Sequence, residues 1–431
     1  MKNILKSIIV FILTFEARLI LKKYKPIIIA VTGSVGKTST KDAIYNVLSH
    51  SLHVRKSEKS FNSDLGVPLT IIGSENGWYN PILWIRNIFH GLRTIIFKVH
   101  YPEMLILEVG ADRPGDIQKI SKWLSPDMVI ITRFAKVPVH VEFFASPEAV
   151  IEEKSYLIKS LKDSGKLFVN SDDDDALTLK KMARQKAITY GVGVEASLRG
   201  SDYAITYDKV TSAPNGITFK VNYNGNSLPV FIKGVLGIQH MYPALAAIAV
   251  GIECGINPIH LIESFETYES PNGRMKIIAG EKKSTIIDDT YNSSPVAVRE
   301  ALETLKLIKT NNRKIAILGD MLELGKYSTY EHTLVGETAA QACTLLLTVG
   351  LRARHIAEGA EDGGLHERNI FEFENAEYAG KYLESILKEG DIILIKGSQG
   401  MRMERIVEEI IAYPERKGEL LVRQEEEWRR K

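Results

Sequence analysis

Cysteine is nearly absent from this chain: Cys254 and Cys343 are the only two in 431 residues, far apart and in apolar surroundings. A disulfide framework and a cysteine-based metal centre are both excluded, and the chain fits a reducing compartment, the cytoplasm. Charge of one sign is lacking too. Lys and Arg number 55 against 53 Asp and Glu, so no nucleic acid is expected as a bulk electrostatic partner. Internal repeats and low-complexity segments are absent, as is any apolar run near the roughly 20 residues a membrane span needs. What remains is 45% hydrophobic and 25% charged, the balance of a globular protein long enough for two or three cores.

The amino terminus, MKNILKSIIVFILTFEARLILKKYK, comes nearest to an exception. Its apolar run over residues 8–13 is interrupted by Thr14, Glu16 and Arg18, and Lys2, Lys6, Lys22, Lys23 and Lys25 surround it. Two readings stay open: an interfacial helix making peripheral contact with an anionic membrane, at its inner face, or a helix packed on the body of the protein.

The next stretch organises everything after it. PIIIAVTGSVGKTST reads as a buried strand over residues 27–31, a glycine-bearing turn, and a helix beginning near Thr38. Thr32, Gly33, Ser34, Val35, Gly36, Lys37, Thr38 and Ser39 thus form a phosphate cradle. Glycines let backbone amides turn toward an anion, Lys37 supplies a mobile charge, and the Thr38 hydroxyl suits a metal ion beside the phosphates. The spacing is shorter than G-x-x-x-x-G-K-[ST], since Val31 stands where the first glycine would fall.

Beyond it, SFNSDLGVPLTIIG reads as a polar loop entering an apolar run, and MLILE as a strand that closes on Glu108. Open α/β sheets place ligands at such carboxyl ends, so Glu108 is a candidate magnesium ligand with Thr38. Strands follow at MVIIT and LFV, with a helix capped by Ser146 and begun by Pro147 between them. The run Asp172 to Asp175 reads as a solvated turn capping the next helix, because neighbouring carboxylates diverge. Alternation over residues 197–233, with Pro214-Asn215-Gly216 and Asn224-Gly225 turns, predicts inserted β-hairpins. A small-residue helix follows Pro243. ESPNGR has linker composition, and after it strands and helices alternate again to a last helix over residues 401–412 and a charged, solvated tail.

The expected fold class is therefore α/β. Residues 1–24 form a basic apolar helix, 25–269 a phosphate-loop domain with a mostly parallel sheet, and 270–431 a second, Rossmann-like sheet domain.

Taken in order, TGSVGKTST, FNSDLGVPLT, LEVGADRPGDI, HVE with the later Lys154, VNSDD, GIQHMYPALAA, NGRM, IIDDTYNSSP, ILGDMLELG and IKGSQGMRMERI resemble the Mur ligase family, from about Lys25 to Ala412. These are ATP-dependent amide ligases of peptidoglycan synthesis. ILGDMLELG and DDTYNSSP point to the branch that adds D-alanyl-D-alanine to a UDP-N-acetylmuramoyl tripeptide. The resemblance implies an acyl phosphate made from ATP, with Mg2+ on Thr38 and Glu108 and a second ion on Glu108, His140 and a carbamylated Lys154. Lys37, Lys154, His140 and Lys396 would be catalytic. Arg274, Asp289, Tyr291 and Asn292 would meet the nucleotide from the second domain. Asn62, Asp320, Glu323 and Ser398 would contact substrate. Outside that pattern, His140 alone would more often be a surface or satisfied core histidine than a ligand, and Lys154 a solvated helix residue.

Three departures stand out. In the nucleotide segment Gly237, Gln239 and His240 place the histidine one position late, and Pro243 replaces an asparagine. Tyr156 stands where a glutamate is usual. About thirty residues precede the phosphate loop, where family members carry a domain that grips the UDP-sugar. A two-domain relative joining an amino acid to a different carboxylate, as folylpolyglutamate- and cyanophycin-type ligases do, is the alternative expectation.

Overall fold

The computed structural model describes residues 2–58, 61–78, 80–425 and 428. Fifteen strands form two sheets among these residues. The first holds β1 (Ile27–Thr32), β2 (Val54–Lys56), β3 (Met104–Glu108), β4 (Met128–Ile131), β5 (Lys166–Asn170), β6 (Ala187–Gly191), β7 (Leu198–Tyr207), β8 (Pro214–Tyr223) and β9 (Asn226–Lys233), in the order β2-β3-β1-β4-β5-β6-β7-β8-β9. Pairing is parallel from β2 to β7 and antiparallel from β7 to β9. The hairpins read at residues 197–233 thus continue the sheet rather than interrupt it. The second sheet holds β10 (Lys276–Ala279), β11 (Thr285–Asp289), β12 (Lys314–Gly319), β13 (Leu345–Val349), β14 (Ile370–Phe373) and β15 (Ile392–Lys396), in the order β10-β11-β15-β12-β13-β14. Only β10 there is antiparallel.

Local chemistry explains both sheets. IIIAVT, MLILE and IILIK are β-branched or leucine-rich runs whose side chains are buried on both faces, as parallel strands covered by helices require. The covering helices of the first sheet are α1 (Lys2–Tyr24), α2 (Lys37–Ser49), α3 (Gly66–Ile72), α4 (Pro81–Ile96), α5 (Asp116–Ser121), α6 (Pro147–Lys159), α7 (Asp174–Met182), α8 (Met241–Glu253) and α9 (Pro258–Glu263). Those of the second are α10 (Pro295–Leu307), α11 (Ser328–Ala340), α12 (Arg354–Asp362), α13 (Ala376–Ile386) and α14 (Glu404–Ile410), with a final turn of helix, α15 (Lys417–Leu420). The alanine-rich α8 is buried along its length and lies against α2, where small side chains permit close approach.

Sequence and structure part in several places. The apolar run after the polar loop takes the form of helix α3, and α4 has no counterpart in the pattern read above. The helix read over residues 401–412 is the shorter α14. Arg402 in the left-handed region (φ 54°) separates it from the 3-10 turn at Gln399–Met401. The tail is only partly solvated: Leu421 and Arg423 are buried, because the Arg423 guanidinium finds the Thr290 carbonyl (3.1 Å), the Glu404 carboxylate (2.8 Å) and the Tyr291 carbonyl. The aspartate run behaves as read: Asp173 accepts from Ala176 N–H to cap α7, while Asp172 accepts from Val192 and Gly193.

Candidate active site

A cavity of about 340 Å3 opens where the carboxyl ends of β1 and β3 face those of β11 and β15. Its floor is the turn between β1 and α2. Gly33 has φ +142°, and a Cβ there would meet Thr132 Oγ1 at 2.0 Å, so this position tolerates no side chain. Gly36 sits at φ +84° as the residue before α2, with no side chain to cap the helix. The opening amides of α2 are therefore available to an anion, at the positive end of the helix dipole. Ser34 and Val35 N–H instead both donate to the Arg133 carbonyl, which fixes the turn against the segment that follows β4. Thr32, at the end of β1, is fully buried behind it.

Charges converge on this floor. Burial pulls the Lys37 ammonium below its usual range, Glu108 pulls it back up, and Arg274 pushes it down again. Glu108, 1% exposed, keeps a carboxylate oxygen, Oε2, buried without a hydrogen-bond partner. Arg274 crosses from the second sheet, donates to Thr38 Oγ1 (3.3 Å) and lies 4.2 Å from the Tyr291 ring centre. A buried carboxyl oxygen without a partner and the Thr38 hydroxyl, lining one cavity, are the donor types a hard cation such as Mg2+ prefers.

Lys154 lies on α6, 4% exposed, where burial above all and the neighbouring Lys37 lower its amine to about 7. The helix is pinned by Glu153, whose carboxylate accepts from Gly115, Ile117 and Gln118 N–H and caps α5. His140 takes the left-handed conformation (φ 70°), with Nε2 3.5 Å from Asp112 Oδ1 and Nδ1 against the Glu323 carboxylate. That last contact joins the two halves of the cavity, as does Arg133 with Glu300 on α10 (2.5 Å). Among the described residues, no three His, Cys, Asp or Glu side chains are gathered as a ready metal centre.

From the second sheet, Lys396 is 2% exposed and bonds Asp289 Oδ2 (2.6 Å) and the Asn292 carbonyl (2.9 Å). Of the residues singled out from sequence, Ser34 to Ser39, Asn62, Glu108, His140, Arg274, Asp289, Tyr291, Asn292 and Lys396 line the cavity. Thr32, Gly33, Lys154, Asp320, Glu323 and Ser398 are not on its wall. Asp320 accepts from Ala353 N–H (2.7 Å) and Ser398 Oγ from Leu322 N–H (2.8 Å), so both organise the loop after β12. Sequence reasoning missed Asp112, Asn170, Tyr190 and Glu300, which also line the space. Asn170 and Tyr190 stand at the carboxyl ends of β5 and β6, which was the available hint, whereas Asp112 in the loop after β3 and Glu300 inside α10 carried no local signal. His240, held by the Arg274 carbonyl (3.1 Å) and lowered to about 4 by burial, lines it beside Tyr242 and Pro243.

The Mur ligase middle domain model matches residues 31–82 and 87–251, and the model described as Mur ligase, glutamate ligase domain matches residues 273–399. A UDP-N-acetylmuramoyl-tripeptide–D-alanyl-D-alanine ligase of Bacillus subtilis is 29% identical over 388 residues, spanning 90% of this chain and 76% of that protein. Its counterpart from Rickettsia prowazekii is 27% identical, over 88% and 77%. Among solved structures, a MurF ligase from Thermotoga maritima in complex with ADP superposes with a TM-score of 0.75 at 25% identity, over 93% of this chain and 83% of that one. MurF from Acinetobacter baumannii gives 0.75 at 22% identity, over 92% and 79%, a likeness of fold. With one family model on each of the two sheets that enclose the cavity, the chain belongs to the Mur ligase family.

Proposed function

We propose that this protein is an ATP-dependent amide ligase of peptidoglycan precursor synthesis, joining D-alanyl-D-alanine to a UDP-N-acetylmuramoyl tripeptide in the cytoplasm. One observation supports it above the rest. The uncapped start of α2 with Lys37, and the buried Lys396 with Arg274 from the other sheet, face each other across a single cavity.

In this reading the acceptor carboxylate attacks the γ-phosphorus of ATP, releasing ADP and forming an acyl phosphate. The amine of the dipeptide then adds to the acyl carbon, loses a proton, and expels phosphate from the tetrahedral intermediate. Positioning and charge supply the catalysis. The α2 amides and Lys37 hold the nucleotide's terminal phosphates, Arg274, Asp289, Tyr291 and Asn292 close on the nucleotide from the second sheet, and Lys396 meets the developing phosphate charge. Asn62 faces the acceptor side. Ser398 retains its hydroxyl proton for substrate, while Asp320 and Glu323 hold the loop that presents the amine.

Mg2+ bound by Thr38 and Glu108 would neutralise phosphate oxygens there. A second ion on Glu108 and His140 calls for one more hard ligand. Lys154 suits it, since an amine lowered to about 7 is neutral often enough to take up carbon dioxide as a carbamate.

The test is phosphate release with Mg·ATP, supplying the UDP-linked tripeptide and D-alanyl-D-alanine separately and together. Release that requires both, with a new amide product by mass, is the expected result. Turnover with another acid and none with this pair would overturn the assignment.

A further inference from the structure

Helix α4 leaves a large apolar face in the open. Its fully buried positions are Asn87, Gly91 and Thr94, and Trp84, Ile88 and Ile95 pack half-buried against the core, while Ile82, Ile85, Phe89, Leu92 and Ile96 point out, with Ile85 55% and Phe89 66% exposed. Spacing of three and four residues puts those five on a single stripe. Beside it, α1 buries Leu13, Ala17 and Ile20 and turns Ile8, Phe11 and Phe15 outward, Phe11 73% exposed.

The two helices are fastened together. Lys23 Nζ donates to the Thr94 and Ile95 carbonyls at 3.0 and 2.9 Å, and Tyr24 Oη donates to the Thr94 carbonyl at 3.1 Å. Glu16 packs so close to α4 that a Cβ on Gly91 would meet its Oε2 at 2.1 Å. The two helices are thus one assembled unit, and together they leave eight large apolar side chains exposed, more than monomers usually leave open.

Charge decides what covers it. Lys6, Arg18, Lys22, Arg86, Arg93 and Lys98 are exposed on or just beyond the two helices. The only carboxylate on either helix, Glu16, is buried, and the nearest exposed one in sequence is Glu75, ahead of α4. A second copy docked on this face would set cation against cation. An anionic lipid surface neutralises them while the apolar stripe enters the headgroup boundary. Among the described residues no helix is long and apolar enough to cross a membrane, so contact lies in the plane.

We infer that α1 and α4 together form a monotopic binding face for anionic bilayers. The experiment is flotation of the full chain with vesicles of phosphatidylglycerol and phosphatidylethanolamine, and with phosphatidylcholine alone. Binding to the anionic vesicles that weakens with salt, and little to phosphatidylcholine, is expected. Ile85→Asp with Phe89→Asp should lower partitioning at least about tenfold, and Arg86→Gln with Arg93→Gln by a similar factor, each with an unchanged melting temperature. Three results would overturn the inference: no flotation with anionic vesicles, flotation indifferent to Ile85→Asp/Phe89→Asp, or a dimer in solution that those substitutions dissociate.

Discussion

The cavity between the sheets and the flank formed by α1 and α4 invert each other's chemistry. In the cavity, Glu108, Lys396 and Asp289 are taken out of water, and the cost is offset by opposite charges within each half: Lys396 against Asp289 in the second sheet, and Lys37 near Glu108 in the first. On the flank, phenylalanine and isoleucine are left in water while Asn87, Thr94 and Glu16 are turned inward. Each departs from the rule of polar outside and apolar inside, and each departure marks a surface meant to meet something: a charged small molecule in one case, an apolar phase in the other.

Substitutions that affect the two regions differently test this contrast. The largest effect is expected at the cavity floor. Lys37→Ala should cut phosphate release by roughly a thousandfold or more while circular dichroism stays native, because phosphate charge loses its nearest cation. Lys154→Ala should be nearly as damaging, with partial rescue of turnover by added short carboxylic acids. Full activity in either variant would remove the catalytic reading of the cavity.

Next comes Arg423→Ala, which leaves Glu404, with no measurable exposure, facing only Arg402 Nε at 2.6 Å. A loss of about 3 kcal/mol in denaturant unfolding is expected.

On the flank, Glu16 is the group to titrate. Burial pushes its carboxyl up to about 7, and both its oxygens lie buried without partners. A carboxyl raised in the folded state costs nothing below the unfolded value near 4.5 and progressively destabilises as pH rises through 7. Glu16→Gln should therefore stabilise by about 2 kcal/mol at pH 8 and not at all at pH 4, read as the pH dependence of the unfolding midpoint. Smallest of all, Phe89→Ser should change folding stability by less than about 0.5 kcal/mol. A large loss there would mean that the stripe packs on the protein itself.

Much of the cavity was legible in the chain, and the reason is local. A β-branched run followed by TGSVGK can do little but make a strand, a tight turn with left-handed glycine, and a helix start, so Lys37 and Thr38 fall where the turn puts them. Glu108 was legible as the end of an apolar strand. Family resemblance, rather than geometry, drew attention to Lys154 and His140. Asp320 and Ser398, read as substrate contacts, also accept from backbone amides, partnerships that depend on loops meeting after β12 and β15. The flank was half legible: residues 1–24 read as a basic apolar helix, yet nothing in residues 81–96 told which face would turn out.

By itself, then, the sequence determined the elements with strong local rules: buried parallel strands, the phosphate turn, Ser146 and Asp173 as helix caps, and the alternation of strand and helix that makes two sheets. Periodicity and backbone sterics act over a few residues, which suffices for these. Only the tertiary structure decided the partnerships, setting Arg274 on Thr38 across 236 residues, drawing Arg423 to the carbonyls after β11, and turning the apolar stripe of α4 outward. Those outcomes rest on which surfaces are left to compete for burial once the sheets have formed, a balance that no local stretch of chain contains.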